Sequence, residues 1–141
     1  LWNHSGYPSC VEFKSYSARK KWIFSIFVFY YKCIIYININ NPAYFHLTSI
    51  GGWEYIAGGS KGLIVYRTLN DDFNAYDRHC TYNSENPCGY ASIDSTGVQI
   101  TCECDGSIYQ LHDGQIVQGP ASWPLHQYQT DFDGTMLHIY N

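Results

Sequence analysis

Thr101-Cys102-Glu103-Cys104-Asp105-Gly106-Ser107-Ile108-Tyr109 sets two cysteines one residue apart and follows them with an acidic residue and a glycine. A second pair, Cys80 and Cys88, lies upstream, the first of them within Arg78-His79-Cys80-Thr81-Tyr82. Downstream comes Gln118-Gly119-Pro120-Ala121. Six cysteines in 141 residues imply either metal ligation or an oxidising compartment.

The composition narrows the class. At 141 residues the chain has the length of one ordinary domain with a real core. Apolar residues make up 45%, which excludes disorder by composition. Charged residues are only 14%, whereas tyrosine alone contributes 14 residues. Aromatic side chains suit a pleated, half-buried surface, so this balance favours a β protein. The net charge is −4 and no basic run interleaves with aromatics, so no nucleic-acid partner is expected.

From Ile34 onward the pattern is β. Ile35-Tyr36-Ile37-Asn38-Ile39-Asn40 alternates apolar and polar, and Asn41-Pro42 ends it. Further strands are expected at Trp53–Ala57, Leu63–Arg67, Phe73–Asp77, Val98–Cys102, Ser107–Leu111, Gln115–Gln118, Gln127–Phe132 and Thr135–Tyr140. Gly58-Gly59-Ser60-Lys61-Gly62 and Asn70-Asp71-Asp72 read as connections, and Asp113-Gly114 and Asp133-Gly134 as hairpin turns. No useful length after position 34 shows helical spacing. Strands this short and close suggest an all-β antiparallel sandwich or small barrel. The interval Arg78–Gln99 breaks the alternation and reads as the start of a small inserted subdomain held by a covalent or metal tie.

Residues 1–33 stand apart as an N-terminal extension. Arg19-Lys20-Lys21 precedes the apolar run Trp22–Tyr31, the shape of a signal peptide. The run is shorter than the roughly 20 residues of a membrane-spanning helix. Cys33 closes it and resembles a bacterial lipidation site, although Tyr31 and Lys32 before it are not small. The other reading of the run is a buried strand.

Taken together, the cysteine boxes resemble the Rieske [2Fe–2S] family. That family carries one box of the form Cys-x-His with a further cysteine, and a second of the form Cys-x-Cys-His-Gly. One Cys and one His of each box bind the cluster, and the remaining two cysteines form a disulfide. By this resemblance Cys80 and Cys102 take the ligand cysteine positions, and Cys88 and Cys104 the disulfide positions. Tyr82 and Asp105 stand where the two histidines belong. Ser107–Leu111, Asp113–Ala121 and Pro124-Leu125 resemble the family's hairpin and Pro-containing loop. The resemblance implies a Rieske-like domain over residues 34–141, with the inserted subdomain at about 78–120.

Tyrosine, with a reference pKa near 10, ligates only at the cost of losing a proton. The Asp105 carboxylate is a harder donor of shorter reach than imidazole. A standard Cys₂His₂ cluster is therefore not expected. Among His4, His46, His79, His112, His126 and His138, only His79 lies beside a box, on the wrong side of Cys80. All four box cysteines around one metal, or an all-thiolate cluster, is a further possibility. The simplest outcome is two disulfides, Cys88–Cys104 and Cys80–Cys102.

Other constellations are weak. Asp71, Asp72 and Asp77, near Glu85, read as turn and solvated residues. Ser107 and His112 have no nucleophile motif around them, and Gly58–Gly62 lacks phosphate-loop spacing. The expectation is non-catalytic: an exported, periplasmic or lipid-anchored protein of bacterial type without a cofactor, meeting a protein partner or the membrane. The alternative is an electron carrier with an atypical [2Fe–2S] centre on Cys80, Cys102, Asp105 and Tyr82 or His79. A reductase or oxygenase component would need a substrate domain that these 141 residues do not hold.

Overall fold

The computed structural model describes residues 11–14, 29–32, 34–82 and 85–141. Strands β1 (Val11–Lys14) and β2 (Phe29–Lys32) pair antiparallel. β2 takes in the end of the apolar run; most of that run, and Cys33, lie outside the described residues.

Six strands form a base sheet: β3 (Ile34–Asn38), β4 (Trp53–Ile56), β5 (Leu63–Arg67), β6 (Phe73–Asp77), β11 (Gln127–Phe132) and β12 (Met136–Tyr140). Their order is β3-β12-β11-β6-β5-β4, with every neighbouring pair antiparallel. Period-2 alternation builds the core. Ile35, Ile37, Leu137 and Ile139 point inward, while Tyr36 on the opposite face of β3 is exposed. Those four pack with Leu47, Ile56, Leu63, Val65, Phe73, Ala75 and Tyr128. β11 serves two neighbours, pairing Gln127 and Tyr128 with β6 and Gln129–Phe132 with β12.

Between β6 and β11 lies the inserted subdomain, an antiparallel meander of β7 (Ala91–Ile93), β8 (Gln99–Cys102), β9 (Ile108–Gln110) and β10 (Ile116–Gln118). The base strands beneath it are buried on both faces. Leu63, Val65 and Ala75 join the base core, while Ile64 and Tyr76 join a second core with Ala91, Ile100, Tyr109, Leu111, Leu125 and the cysteines Cys80 and Cys102. Burying a side chain the size of Ile64 stabilises by about 1.5–3 kcal/mol, so the subdomain is fastened by packing as well as by its chain connections. At the Asp113-Gly114 turn Gly114 has φ +69°, and a Cβ there would come 2.7 Å from the Tyr76 ring.

The all-β expectation is met, with local differences. Asn41-Pro42 does end the first base strand, but the next element is a 3-10 segment, Pro42–Thr48, kinked at Tyr44 (φ −119°, ψ 27°). Asn41 caps it by accepting a hydrogen bond from the Ala43 amide at 3.0 Å, and Leu47 is its buried residue. Seven residues are too few to display a helical period. Strand β7 sits inside the interval read as irregular. It is three residues long, and only Ala91 of them is buried.

Asp77 corrects the solvated reading. It is 3% exposed at the end of β6. Its carboxylate accepts hydrogen bonds from the amides of Ser60 (2.7 Å), Lys61 (3.3 Å) and His79 (3.0 Å) and from the Tyr128 hydroxyl (3.0 Å). A buried charge is tolerable only when its lone pairs are met in this way. Asp71 and Asp72 do lie exposed in a turn, where Asp71 adopts φ 62°. Gly59 (φ +62°) lets the β4–β5 turn close over Asp77; a Cβ there would come 2.5 Å from Oδ2 and 2.9 Å from the Tyr128 hydroxyl.

Asp77→Ala is expected to lower stability by about 3 kcal/mol or more, since it strands several amides at once; urea unfolding measures it. Burial, and then the Asp77 charge, hold the Tyr128 hydroxyl well above the usual tyrosine pKa, and burial does the same for Tyr76. A raised folded pKa favours the folded state up to the unfolded value. Stability should therefore fall as pH rises beyond about 10, where unfolded tyrosines ionise first. Tyr128→Phe should flatten that alkaline decline in unfolding midpoints.

Candidate functional site

Two loops meet at the tip of the inserted subdomain. The first leaves β6. His79 bridges Tyr90, Cys80 donates its amide to Gly89 O at 3.2 Å, and Ala91 donates to Arg78 O at 2.8 Å. The second leaves β8. Gly106 donates its amide to Cys102 O at 2.8 Å and Cys102 donates to Ser107 O at 2.9 Å, closing a tight turn over residues 102–107. Gly106, at φ +77°, allows that turn.

The cysteines cross-link the loops in two layers. Cys80 and Cys102 are bonded to each other, fully buried, with Cα atoms 6.0 Å apart. Cys88 and Cys104 are bonded further out, with Cα atoms 5.4 Å apart, and Cys88 is exposed. Asp105 stands beside the inner pair. Its Oδ1 accepts a hydrogen bond from the Ser107 amide at 2.8 Å, and among the described residues its buried Oδ2 has no hydrogen-bond partner. One Asp105 carboxylate oxygen and the Cys80 and Cys102 sulfurs all lie within 4.8 Å of one another.

Of the other expected positions, Tyr82 is 43% exposed. His79 lies outside the Cys80–Cys102–Asp105 group, with its Nδ1 2.8 Å from Ser60 Oγ. His46 pairs with Glu54 at 2.5 Å, and His138 stacks between Tyr36 and Tyr140 on the base sheet. His112 and His126 are exposed, and His4 lies outside the described residues. Among the described residues no imidazole joins the inner cysteines. The four box cysteines form two bonded pairs rather than one set of four donors.

Several supports escaped the sequence reading. Lys61, in the glycine-rich β4–β5 turn, donates to the Asn86 and Gly89 carbonyls, both at 3.1 Å, and so ties the base to the loop carrying Cys88. Arg78 lies 4.0 Å over the Tyr55 ring and donates to Ala91 O at 2.9 Å. Thr81 donates its hydroxyl to Trp123 O at 2.7 Å; its one proton is then spent, so the Tyr109 hydroxyl, 2.8 Å away, donates to it. Ser107 Oγ, buried, accepts from the Ala121 amide at 3.0 Å. Thr81 and Ser107 thereby clasp the Gly119–Trp123 loop to the two boxes. Their polarity gives no signal in sequence, because nothing there shows which loop returns over the tip.

A curled antiparallel base bearing a small meander, whose two cysteine loops converge at its tip, defines the class of domain. A sequence model of the Rieske [2Fe-2S] domain matches residues 51–129, more than half of the chain, and the chain belongs to that family. Among solved structures it is similar to the plasma membrane Rieske protein PetC3 of the cyanobacterium Synechocystis PCC 6803. The identity is 20%, covering 60% of this chain and 84% of that one, with a TM-score of 0.50. A chain in the complex of reduced oxygenase and oxidised ferredoxin of carbazole 1,9a-dioxygenase is 23% identical over 64% of this chain and 90% of its own, with a TM-score of 0.45. No curated protein matches in sequence.

The family's cluster needs two thiolates and two imidazoles. Here the two sulfurs are bonded together, a carboxylate is the third neighbour, and the remaining position carries a phenol. This donor set does not fit a standard Rieske cluster.

Ser107→Ala should leave the buried Ala121 amide unpaired, costing about 1–3 kcal/mol in urea unfolding and speeding hydrogen exchange at that amide.

Proposed function

We propose that this is a cluster-free Rieske-fold domain, non-catalytic, that uses its cross-linked tip as a rigid scaffold for binding or structure. The observation that carries the reading is the replacement of both imidazole positions, by Tyr82 and Asp105, beside a bonded Cys80–Cys102 pair. Two crosslinks at the tip suit an oxidising compartment. With the basic and apolar segment before Cys33, they support export, as a periplasmic or lipid-anchored protein that meets a protein partner or the membrane.

The purified protein is expected to be colourless, without iron or labile sulfide, and with none of Cys80, Cys88, Cys102 and Cys104 alkylated before reduction. Iron and sulfide in equal amounts would overturn the reading. The bonds span 16 and 22 residues of sequence, so each should stabilise by about 3 kcal/mol through the chain entropy it removes from the unfolded state. Cys88→Ala with Cys104→Ala should lower the unfolding free energy by that amount.

One observation favours a second reading. An Asp105 carboxylate oxygen lies within 4.8 Å of both inner sulfurs, and among the described residues the buried Oδ2 has no hydrogen-bond partner, which leaves the side chain able to ligate. It supports an electron carrier with an atypical [2Fe–2S] centre on Cys80, Cys102, Asp105 and Tyr82 or His79. A rhombic electron-paramagnetic signal from the reduced, as-isolated protein would favour that carrier.

A further inference from the structure

We infer that Cys80, Cys102 and Asp105, once the Cys80–Cys102 bond is reduced, form a site for a single thiophilic divalent cation such as Zn²⁺, with water as fourth ligand. The inference rests on the cluster-free reading above. Three donor atoms already lie within 4.8 Å of one another. Zinc bonds of about 2.3 Å to sulfur and about 2.0–2.2 Å to oxygen set tetrahedral donors roughly 3.5–3.8 Å apart, so on reduction the two sulfurs must part by roughly 1.7 Å from their bonded distance while the carboxylate oxygen moves in by about 1 Å at most.

The electrostatics point the same way. The Ser107 amide holds Oδ1 and fixes the carboxylate, and the buried Oδ2 has no hydrogen-bond partner among the described residues. Such an atom costs free energy that a cation would offset. Both cysteines are fully buried, so bulk water solvates their thiolates poorly and a cation offsets more of their charge. Two thiolates and one carboxylate select a borderline-soft ion over magnesium or calcium. Asp105 is only part-buried and Gly106 beside it is exposed, which gives the ion a way in.

The chemistry balances with a dithiol reductant. It gives two electrons and two protons to the Cys80–Cys102 bond and itself becomes a disulfide. Metal binding then releases the two thiol protons. The oxidised tip has no thiolate to offer, so binding is conditional on reduction.

The test is cobalt titration. The full chain is reduced with dithiothreitol, freed of it under anaerobic gas and titrated with Co²⁺. One equivalent should bind, with thiolate-to-cobalt charge-transfer absorption and the visible bands of a tetrahedral ion, both removed by Zn²⁺ and absent from oxidised protein. Because reduction also frees Cys88 and Cys104, the titration is repeated with both changed to Ser, where the bands should persist. Cys80→Ser should abolish them. Asp105→Asn should weaken binding by at least about tenfold, the smallest loss seen when a group that merely supports a ligand is removed.

Unchanged affinity in Asp105→Asn would overturn the site, as would bands that vanish from a folded Cys88→Ser/Cys104→Ser variant. So would reduced protein that binds no cobalt, whether folded or unfolded. If the double variant does not fold, the Asp105→Asn comparison in the otherwise native chain decides. Iron and labile sulfide in the isolated protein would refute the cluster-free reading; failed cobalt binding alone refutes only the single-ion site.

Discussion

A buried negative charge organises this domain. Asp77 ends a central strand at the point where the base sheet, the β4–β5 turn and the first cysteine loop come together. Each of the three supplies a donor to one carboxylate, so none can move without leaving that charge unmet. The interaction is strong because the site is dry, and costly to break for the same reason. Lys61 extends the constraint outward, since the turn that feeds Asp77 also grips the carbonyls beside Cys88. The tip is thus positioned from the base and not only by its own crosslinks.

The fold was legible where burial is one-sided. β3 and β12 alternate cleanly because one face packs and the other meets solvent. β5 hides its role, since Leu63-Ile64-Val65 reads only as a short apolar run. The structure explains it: successive residues enter different cores. β7 and the 3-10 helix were too short, and too sparsely buried, to leave a period. Asp77 was misread because an acidic residue near a turn looks the same in sequence whether its partners are water or backbone amides. Two of those amides belong to Ser60 and Lys61, which only the tertiary fold brings close; the third is that of His79, two residues on.

The candidate site was legible through its cysteines, whose unequal spacing and neighbouring glycine carry the family pattern. Asp105 and Tyr82 were readable as departures from that pattern, but their different fates were not. Asp105 keeps a carboxylate oxygen within 4.8 Å of the inner sulfurs, while Tyr82 is 43% exposed. An Asx-type turn to Ser107 fixes the Asp105 side chain. The change from imidazole therefore has an asymmetric result. One position keeps a donor near the sulfurs and the other presents a ring to solvent.

The strand order carries a consequence for how the molecule assembles. β3, first in the base sheet, pairs among the described residues with β12 alone, and Ile34 lies opposite Tyr140. Closing that pairing gathers about a hundred residues, whereas the cysteine loops close over 22 and 16. Loop-closure entropy favours the shorter circuits by roughly 1–2 kcal/mol. During synthesis the meander and its sulfur bonds can take shape while β3 still waits for its neighbour, leaving an apolar ribbon of isoleucines without a partner edge. The β11–β12 hairpin, which follows the meander in the chain, is what shelters it, and until it emerges that ribbon is an aggregation-prone surface.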